Sequence, residues 1–575
     1  MLSETPLHEL TIPQLLIRSK QRFPNNIAMR YFDGESFRAI NYVELHRLIM
    51  RAAAALRKAG IKAGDKVGIL AENRPEWGVT YFASLFLEAI NVPLDSLLKP
   101  QELSYIIRHS GLKALVASAK LIPDIEPLRD SIETFEIIVT MDMGIKGYPY
   151  LFDDPDPPPI EPPPVSADDL AVIIYTSGTT GLAKGVMLSH KNIVSDIWGS
   201  LECINMRQDD NFISILPLHH TFECTCGFLT PLSGGASITY ARGLAAKLIV
   251  EDIRENKATI MLGVPLLYEK MLAGITREIS KKPPFTRALF RTIYGVSQLL
   301  KKTFNLEAGK GLFSGLREKA GLASIRLMVA GGAPMMPDVA AAFNILGFRL
   351  IQGYGLTESS PVLTLNPLSN YKNNSIGKAL PNAKLRIDRP DAFGIGEIIA
   401  SGPMIMMGYY KNPKATAEVL KDGWLFTGDL GWMDDDGYYY IAGRSKNVIV
   451  TPGGKNVYPE EVEFALNKSP YILESLVLGR PVEGGEEIEA IIVPDLEYFS
   501  ARAQEKGIEL NEINIEKTIR LEVAKQGEEL ADFKRVKYVM IREEAFEKTS
   551  TRKIKRYLYY NKPMKLSAGQ KKGKS

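Results

Sequence analysis

The sequence predicts an α/β fold: a large N-terminal domain of doubly wound, mostly parallel sheets with a small antiparallel β subdomain, followed by a smaller C-terminal α+β domain. Three observations carry this reading. From about residue 40 to 360, short Val/Ile/Leu runs alternate with Gly, Pro or Ser/Asn turns and amphipathic stretches, the signature of βα units. From 376 to 440 the pattern changes to short segments broken by Gly, which reads as antiparallel strands with a hairpin at the Asp-Asp-Asp-Gly turn 434–437. After Lys446, apolar runs at 474–481, 487–495 and 536–542 interleave with helical stretches. The expected domains are therefore 1–445 and 446–575.

Composition narrows the class. The chain has 575 residues, 45% hydrophobic and 24% charged, with 70 Lys+Arg against 67 Asp+Glu and a net charge of +3. These values fit a large globular protein and exclude a disordered chain or a basic nucleic-acid arm, so no nucleic-acid partner is expected. The three cysteines, Cys203, Cys224 and Cys226, cannot make a disulfide framework and favour a reducing, cytoplasmic setting. The start, MLSETPLHEL, lacks the basic and apolar regions of a secretory signal. The most apolar stretch, 79–94, carries Glu88, Asn91 and Pro93 and falls short of the roughly 20 residues that span a bilayer.

The βα units are expected at 66–77, 170–181, 211–220, 258–271 and 325–337, each with polar or Gly-rich residues just after its strand. In a doubly wound sheet ligands bind at those carboxyl ends. The Pro-rich segment 153–164 must run as extended chain, and it reads as a loop within one domain more readily than as a linker.

The most informative segment is YTSGTTGLAKGVMLSH, residues 175–190. A strand is expected before it and a helix after it, with Ser189 as the helix cap. Thr176, Ser177, Gly178, Thr179, Thr180, Gly181, Lys184 and Gly185 combine hydroxyl donors, exposed backbone N–H groups and one mobile cation, as a polyphosphate cradle requires. It is not a Walker A loop, because that pattern counted from Gly178 would need Gly at Ala183 and Ser or Thr at Gly185.

This segment resembles the phosphate-binding signature of the adenylate-forming superfamily, which includes acyl-CoA synthetases, luciferases and peptide-synthetase adenylation domains, with Ala183 where Pro is more usual. The resemblance extends over nearly the whole chain. GGAP (331–334) and GYGLTE (353–358) resemble the family's adenine-binding turn and its Tyr-Gly-x-Thr-Glu motif. It implies that Gly332, Ala333 and Tyr354 flank adenine, with Gly355 in the same nucleotide motif. Thr357 would touch the α-phosphate, and Glu358 with Thr179 would hold Mg²⁺. WLFTGDLGWMDDDGYYYIAGRSKNVIV (424–450) resembles the next two signatures, which implies that Asp429 accepts the ribose hydroxyls, Arg444 makes a second nucleotide contact and Lys446 is a hinge. EKTSTRKIKRYL (547–558) resembles the terminal motif and implies Lys553 as the catalytic lysine. Arg552 stands where Gly is usual, and Lys555 and Arg556 follow, so the register among these cations stays open. His220 in PLHHTFE aligns with the histidine between nucleotide and acyl pockets, and His219 takes a position more often aromatic. A metal site in HHTFECTC is disfavoured, because the two Cys alternate and no further Cys nearby completes a tetrahedral set, and a Cys nucleophile because the phosphate and adenine signatures already account for the activation chemistry.

Residues 273–320 carry ten Lys/Arg against three Glu, interleaved with aromatic and aliphatic residues. Two readings stay open: an ordinary solvated helical hairpin, or a basic amphipathic surface for peripheral contact with an anionic membrane. The latter resembles the insertions of long-chain acyl-CoA synthetases. Together the resemblances imply an ATP- and Mg²⁺-dependent ligase joining a medium- to long-chain fatty acid to coenzyme A through an acyl-adenylate. Delivery to an acyl-carrier protein and activation of an aryl acid are the rivals within the superfamily, and a non-catalytic nucleotide-binding protein is the remote one. Oligomeric state stays open.

Overall fold

The computed structural model describes residues 5–154, 157, 160, 164–176, 183–507, 510–548 and 554–560. The chain forms two compact units, one made of Met1–Thr176, Ala183–Thr427 and Trp432–Ile441, the other of Ser177–Leu182, Gly428–Gly431 and Ala442–Ser575.

The first unit contains the α/β sheets that the apolar runs predict. In a seven-stranded sheet the order is Gly408–Tyr409, Lys184–Ser189, Leu170–Thr176, Ile90–Pro93, Lys66–Leu70, Ala114–Ala117 and Ile137–Thr140. From Leu170–Thr176 to Ile137–Thr140 the neighbours are parallel, and these strands read as unbroken apolar runs because both faces are covered. A nine-stranded sheet runs Lys378–Ala379, Val362–Leu365, Leu350–Gly355, Leu327–Ala330, Ile260–Gly263, Asn211–Ser214, Ser237–Tyr240, Ile27–Phe32 and Phe37–Asn41, parallel through its middle and antiparallel at its edges. One core cluster links Met29 and Ile238 of this sheet to Val67 and Val172 of the other through Trp77, Tyr81, Phe82 and Ile197. Helices Pro75–Phe86 and His190–Ile204 therefore lie between the sheets and are buried on nearly every side.

The segment around the Gly/Thr-rich loop has the expected strand before it and the expected Ser189-capped helix after it. Between the loop and the expected helix lies a strand that the sequence reading did not name: Lys184–Ser189 runs antiparallel to Leu170–Thr176, with Thr176 opposite Lys184. Val186 and Leu188 point inward, and this alternation selects a strand. The helix begins at His190, and Ser189 caps it by accepting from the Asn192 N–H at 3.1 Å. Both flanks of the Pro-rich segment belong to the same unit.

The antiparallel region is as the Gly-broken pattern suggests: Lys384–Asp388, Gly396–Ser401, Trp424–Met433 and Leu420–Lys421 form one sheet, with Tyr439–Arg444 paired to Trp424–Met433. The 434–437 turn closes through Gly437 N–H to Asp434 O at 2.9 Å.

In the basic segment, helices Pro265–Ser280 and Pro284–Phe304 form the bulk. Phe290, Ile293 and Tyr294 pack inward on Tyr268, Phe313 and Phe343. Phe285, Leu289, Val296 and Leu299 lie exposed along the second helix, which contains no acid, with Arg287, Arg291 and Lys302 also exposed. Arg317 is not a surface cation: it is buried and donates to the carbonyls of Gly347, Ala323 and Ile325.

The second unit holds a hairpin of Ile472–Val482 and Gly485–Pro494, with Tyr538–Ile541 parallel to the latter. Helices Pro459–Leu466 and Glu512–Gly527 supply Val462, Leu466, Ile519 and Val523 to its core. Among the described residues no helix is long and apolar enough to cross a membrane.

Candidate active site

The register of the nine-stranded sheet determines which loops emerge together. Ala330 pairs with Gln352, and Met261 with Met328. The turn at 331–333 and the segment 353–358 therefore leave the sheet side by side at its carboxyl edge. Gly332 has φ +80°, a left-handed conformation glycine adopts without strain, and the nearest atom to a Cβ there would be Val264 Cγ1 at 3.9 Å. Ala333 is half-buried beside it. Tyr354 sits opposite Thr364 and packs toward Leu363. Gly355 admits no side chain, since a Cβ would fall 1.7 Å from Pro361 O. The chain then turns through Thr357–Ser359, which presents Thr357 and Glu358, both half-buried.

Glu358 is held from two sides. Its carbonyl accepts from the Met406 N–H at 2.9 Å, and its carboxylate Oε1 accepts from the Tyr409 hydroxyl at 2.8 Å. Lys184 Nζ lies 4.8 Å from the centroid of the same Tyr409 ring. The phosphate-loop lysine and the motif carboxylate, 174 residues apart in sequence, thus share one neighbour. Tyr409 carried no motif; its sole sequence signal is an aromatic after Gly408 in a two-residue strand.

His219 and His220 follow the strand Asn211–Ser214, two strands from the 331–333 turn. Their ring centroids are 4.1 Å apart, and His219 Nε2 is 3.5 Å from Asp95 Oδ2. Next comes a π-helix, Phe222–Leu229, in which Ser214 Oγ donates to the buried Glu223 Oε1 at 2.6 Å. Burial pushes the Glu223 carboxyl up to about 8. The sequence offered no sign of this buried acid beyond the odd composition HHTFECTC. Among the described residues no cluster of three or more His, Cys, Asp or Glu could hold a metal ion.

In the second unit, Asp429 is buried and Arg444 Nε lies 2.7 Å from its Oδ1. Lys446 is exposed in the turn Ser445–Asn447, next to Asn447, whose Nδ2 donates to Glu460 Oε1 at 2.8 Å. Arg556 is half-buried, donates to Val477 O at 3.0 Å and pairs with Glu463 and, at 3.8 Å, Glu460. It is committed to the core of this unit, which removes one of the cations that left the register of the terminal motif open. Thr176 is the last residue of the strand Leu170–Thr176. Ser177, Gly178, Thr179, Thr180, Gly181 and Lys553 lie outside the described residues.

A family model described as AMP-binding enzyme matches residues 16–410. The chain belongs to the AMP-binding enzyme family. Its fold is that of the adenylate-forming superfamily, and its family assignment is to the AMP-forming acyl- and aryl-CoA ligases, whose cosubstrates are ATP, Mg²⁺ and coenzyme A. It is similar to a feruloyl-CoA synthase of an Amycolatopsis species, 30% identical over 492 residues that cover 83% of this chain and 87% of that one. A long-chain-fatty-acid–CoA ligase of Rattus norvegicus is also 30% identical, over 83% of this chain and 76% of its own length. Among solved structures, an anthranilate CoA ligase in complex with anthranoyl-AMP superposes with TM-score 0.77 at 25% identity, over 97% of this chain and 98% of that one. The ATP-bound MatB of Rhodopseudomonas palustris gives 0.75 at 26%, over 96% and 98%. For this AMP-binding enzyme the relatives thus span both aromatic and fatty acids.

Proposed function

We propose that this AMP-binding enzyme activates a medium- to long-chain fatty acid with ATP and transfers the acyl group to coenzyme A. The observation that carries the ligase chemistry is the arrangement of Lys184, Tyr409, Glu358 and Thr357 beside the 331–333 turn. These groups fit a nucleoside triphosphate: a flat slot beside Tyr354, a cation for phosphate, and carboxylate and hydroxyl oxygens suited to a hard dication. Glu358 and Thr179 would hold Mg²⁺, which supplies charge neutralisation at the phosphates. Asp429 and Arg444 would read the ribose.

In the first step the substrate carboxylate oxygen bonds to the α-phosphorus while the bond to the bridging oxygen of pyrophosphate breaks. Negative charge grows on the equatorial oxygens, and Lys553 stabilises it more in the transition state than in the ground state. In the second, the coenzyme A sulfur attacks the acyl carbonyl and AMP leaves with the electron pair. We place His220 between the nucleotide and acyl pockets and the hinge of a mobile C-terminal domain at Lys446, so that one site serves both steps.

The fatty substrate is favoured by the helix Pro284–Phe304, whose exposed Phe285, Leu289, Val296 and Leu299 beside Arg287, Arg291 and Lys302 suit peripheral contact with an anionic membrane that holds such acids. Three free cysteines suit the cytoplasmic side. An aryl acid is the second reading, favoured by the similarity to feruloyl-CoA and anthranilate–CoA ligases. Steady-state rates with acetate, octanoate, palmitate, ferulate and anthranilate, with coenzyme A or acyl-carrier protein as acceptor, test the assignment. The expected result is the highest kcat/KM with octanoate or palmitate and coenzyme A; a maximum at ferulate or anthranilate would transfer the assignment to the aryl reading.

A further inference from the structure

Tyr409 sits where the two large sheets of the first unit meet. The strand Gly408–Tyr409 adds to the edge of the seven-stranded sheet, with Tyr409 opposite Val186. Met407 N–H donates to Met187 O at 3.0 Å and Tyr410 N–H to Gly185 O at 2.7 Å, which pins both ends of the pairing to the strand that begins at Lys184. Immediately before it, Met406 N–H reaches Glu358 O at 2.9 Å, on the far side of the Thr357–Ser359 turn. The Tyr409 N–H donates to Thr416 Oγ1 at 2.9 Å, so the residue cannot slide along the strand. Its side chain is 8% exposed.

From this anchored backbone one side chain serves two charged groups of opposite sign. The hydroxyl donates to Glu358 Oε1 at 2.8 Å, and the ring lies 4.8 Å from Lys184 Nζ. A carboxylate held at one oxygen by a neutral donor keeps its charge and loses its rotation, leaving Oε2 as the oxygen to offer a hard cation. The electron-rich ring face holds the ammonium without neutralising it, as a second carboxylate would. An ion pair between Lys184 and Glu358 would cancel both; Tyr409 stands in contact with each.

We propose that Tyr409 is a positioning residue of the nucleotide site, orienting the Glu358 carboxylate for the divalent cation and the Lys184 ammonium for the polyphosphate. The proposal rests on the reading of Glu358 as the metal carboxylate.

The test is calorimetric titration of ATP into the full chain at a series of Mg²⁺ concentrations, with acid and coenzyme A absent. Tyr409→Phe keeps the ring and removes the donor; it is expected to raise the Mg²⁺ concentration that half-supports ATP binding roughly 10- to 100-fold, as for loss of one hydrogen bond to a charged group, while leaving Mg²⁺-free ATP affinity unchanged. Tyr409→Leu removes the ring too and is expected to weaken Mg²⁺-free binding as well. Glu358→Gln should remove the Mg²⁺ dependence, and adding Tyr409→Phe to it should change nothing further. A Mg²⁺ profile for Tyr409→Phe equal to the wild type, with Glu358→Gln shifted, overturns the role of Tyr409 and leaves the metal reading intact. A wild-type profile for Glu358→Gln ends the metal reading and the proposal with it. A lowered thermal midpoint for Tyr409→Phe with no shift in the Mg²⁺ profile shows a packing role and also overturns it.

Discussion

Arg444 Nε and Asp429 Oδ1 stand 2.7 Å apart, with the carboxylate buried and the guanidinium partly exposed. The guanidinium fixes one oxygen of the carboxylate proposed to receive the ribose. Asp429→Asn keeps the shape and loses the charge. It is expected to weaken ATP binding roughly 10- to 100-fold, the range for hydrogen bonds to a charged group, with little change in thermal midpoint. Arg444→Ala leaves a buried carboxylate without its cation and is expected to lower both affinity and midpoint. Equilibrium ATP titration with thermal unfolding checks both.

Glu223 gives the chain a specific pH signature. Burial raises its folded-state value to about 8 from an ordinary 4.5. Between those values the folded chain holds a proton that the unfolded chain has lost, so its contribution to stability is full below 4.5 and fades as pH rises through 8. The slope is about 1.4 kcal/mol per pH unit at most. Glu223→Gln is neutral throughout. Its thermal midpoint relative to wild type is therefore expected to climb from pH 5 to pH 8, and a constant offset would contradict the assignment.

Arg556 and Lys553 lie three residues apart yet should behave oppositely. Arg556→Ala removes the cation paired with Glu463, whose carboxyl group burial pushes up to about 7, and is expected to lower the urea midpoint of the C-terminal unit. Lys553→Ala is expected to keep that midpoint and abolish adenylate formation, while thioester formation from pre-made acyl-adenylate survives. Equal loss in both half-reactions would remove Lys553 from its proposed role.

The helix Pro284–Phe304 separates the two readings of the basic insertion. Sedimentation with anionic vesicles, and not with zwitterionic ones, is expected for the wild type and should be lost in Phe285→Ser/Leu289→Ser/Leu299→Ser. No sedimentation of the wild type would leave the solvated hairpin.

The parallel sheets were legible because a strand covered on both faces needs an unbroken apolar run, as in VGIL at 67–70 and LMVA at 327–330. The antiparallel region was legible from its glycines and the 434–437 turn. The strand Lys184–Ser189 was harder, because its alternation is short and interrupted by Gly185 near its start, whereas the Ser189 cap and the helix after it were legible. Arg317 looked like its neighbours because sequence spacing does not reveal three backbone carbonyls waiting at one place. In the site, motif residues on adjacent strand ends could be anticipated from topology. Tyr409 could not, because its contacts to Glu358 and Lys184 depend on where two sheets meet.

Isotope exchange between pyrophosphate and ATP, measured with palmitate present and coenzyme A absent, tests the central claim most directly. Reversible adenylate formation predicts exchange that requires both the acid and Mg²⁺ and disappears in Lys553→Ala. Exchange independent of any carboxylic acid, or none with any acid of the panel, would contradict an adenylate-forming ligase.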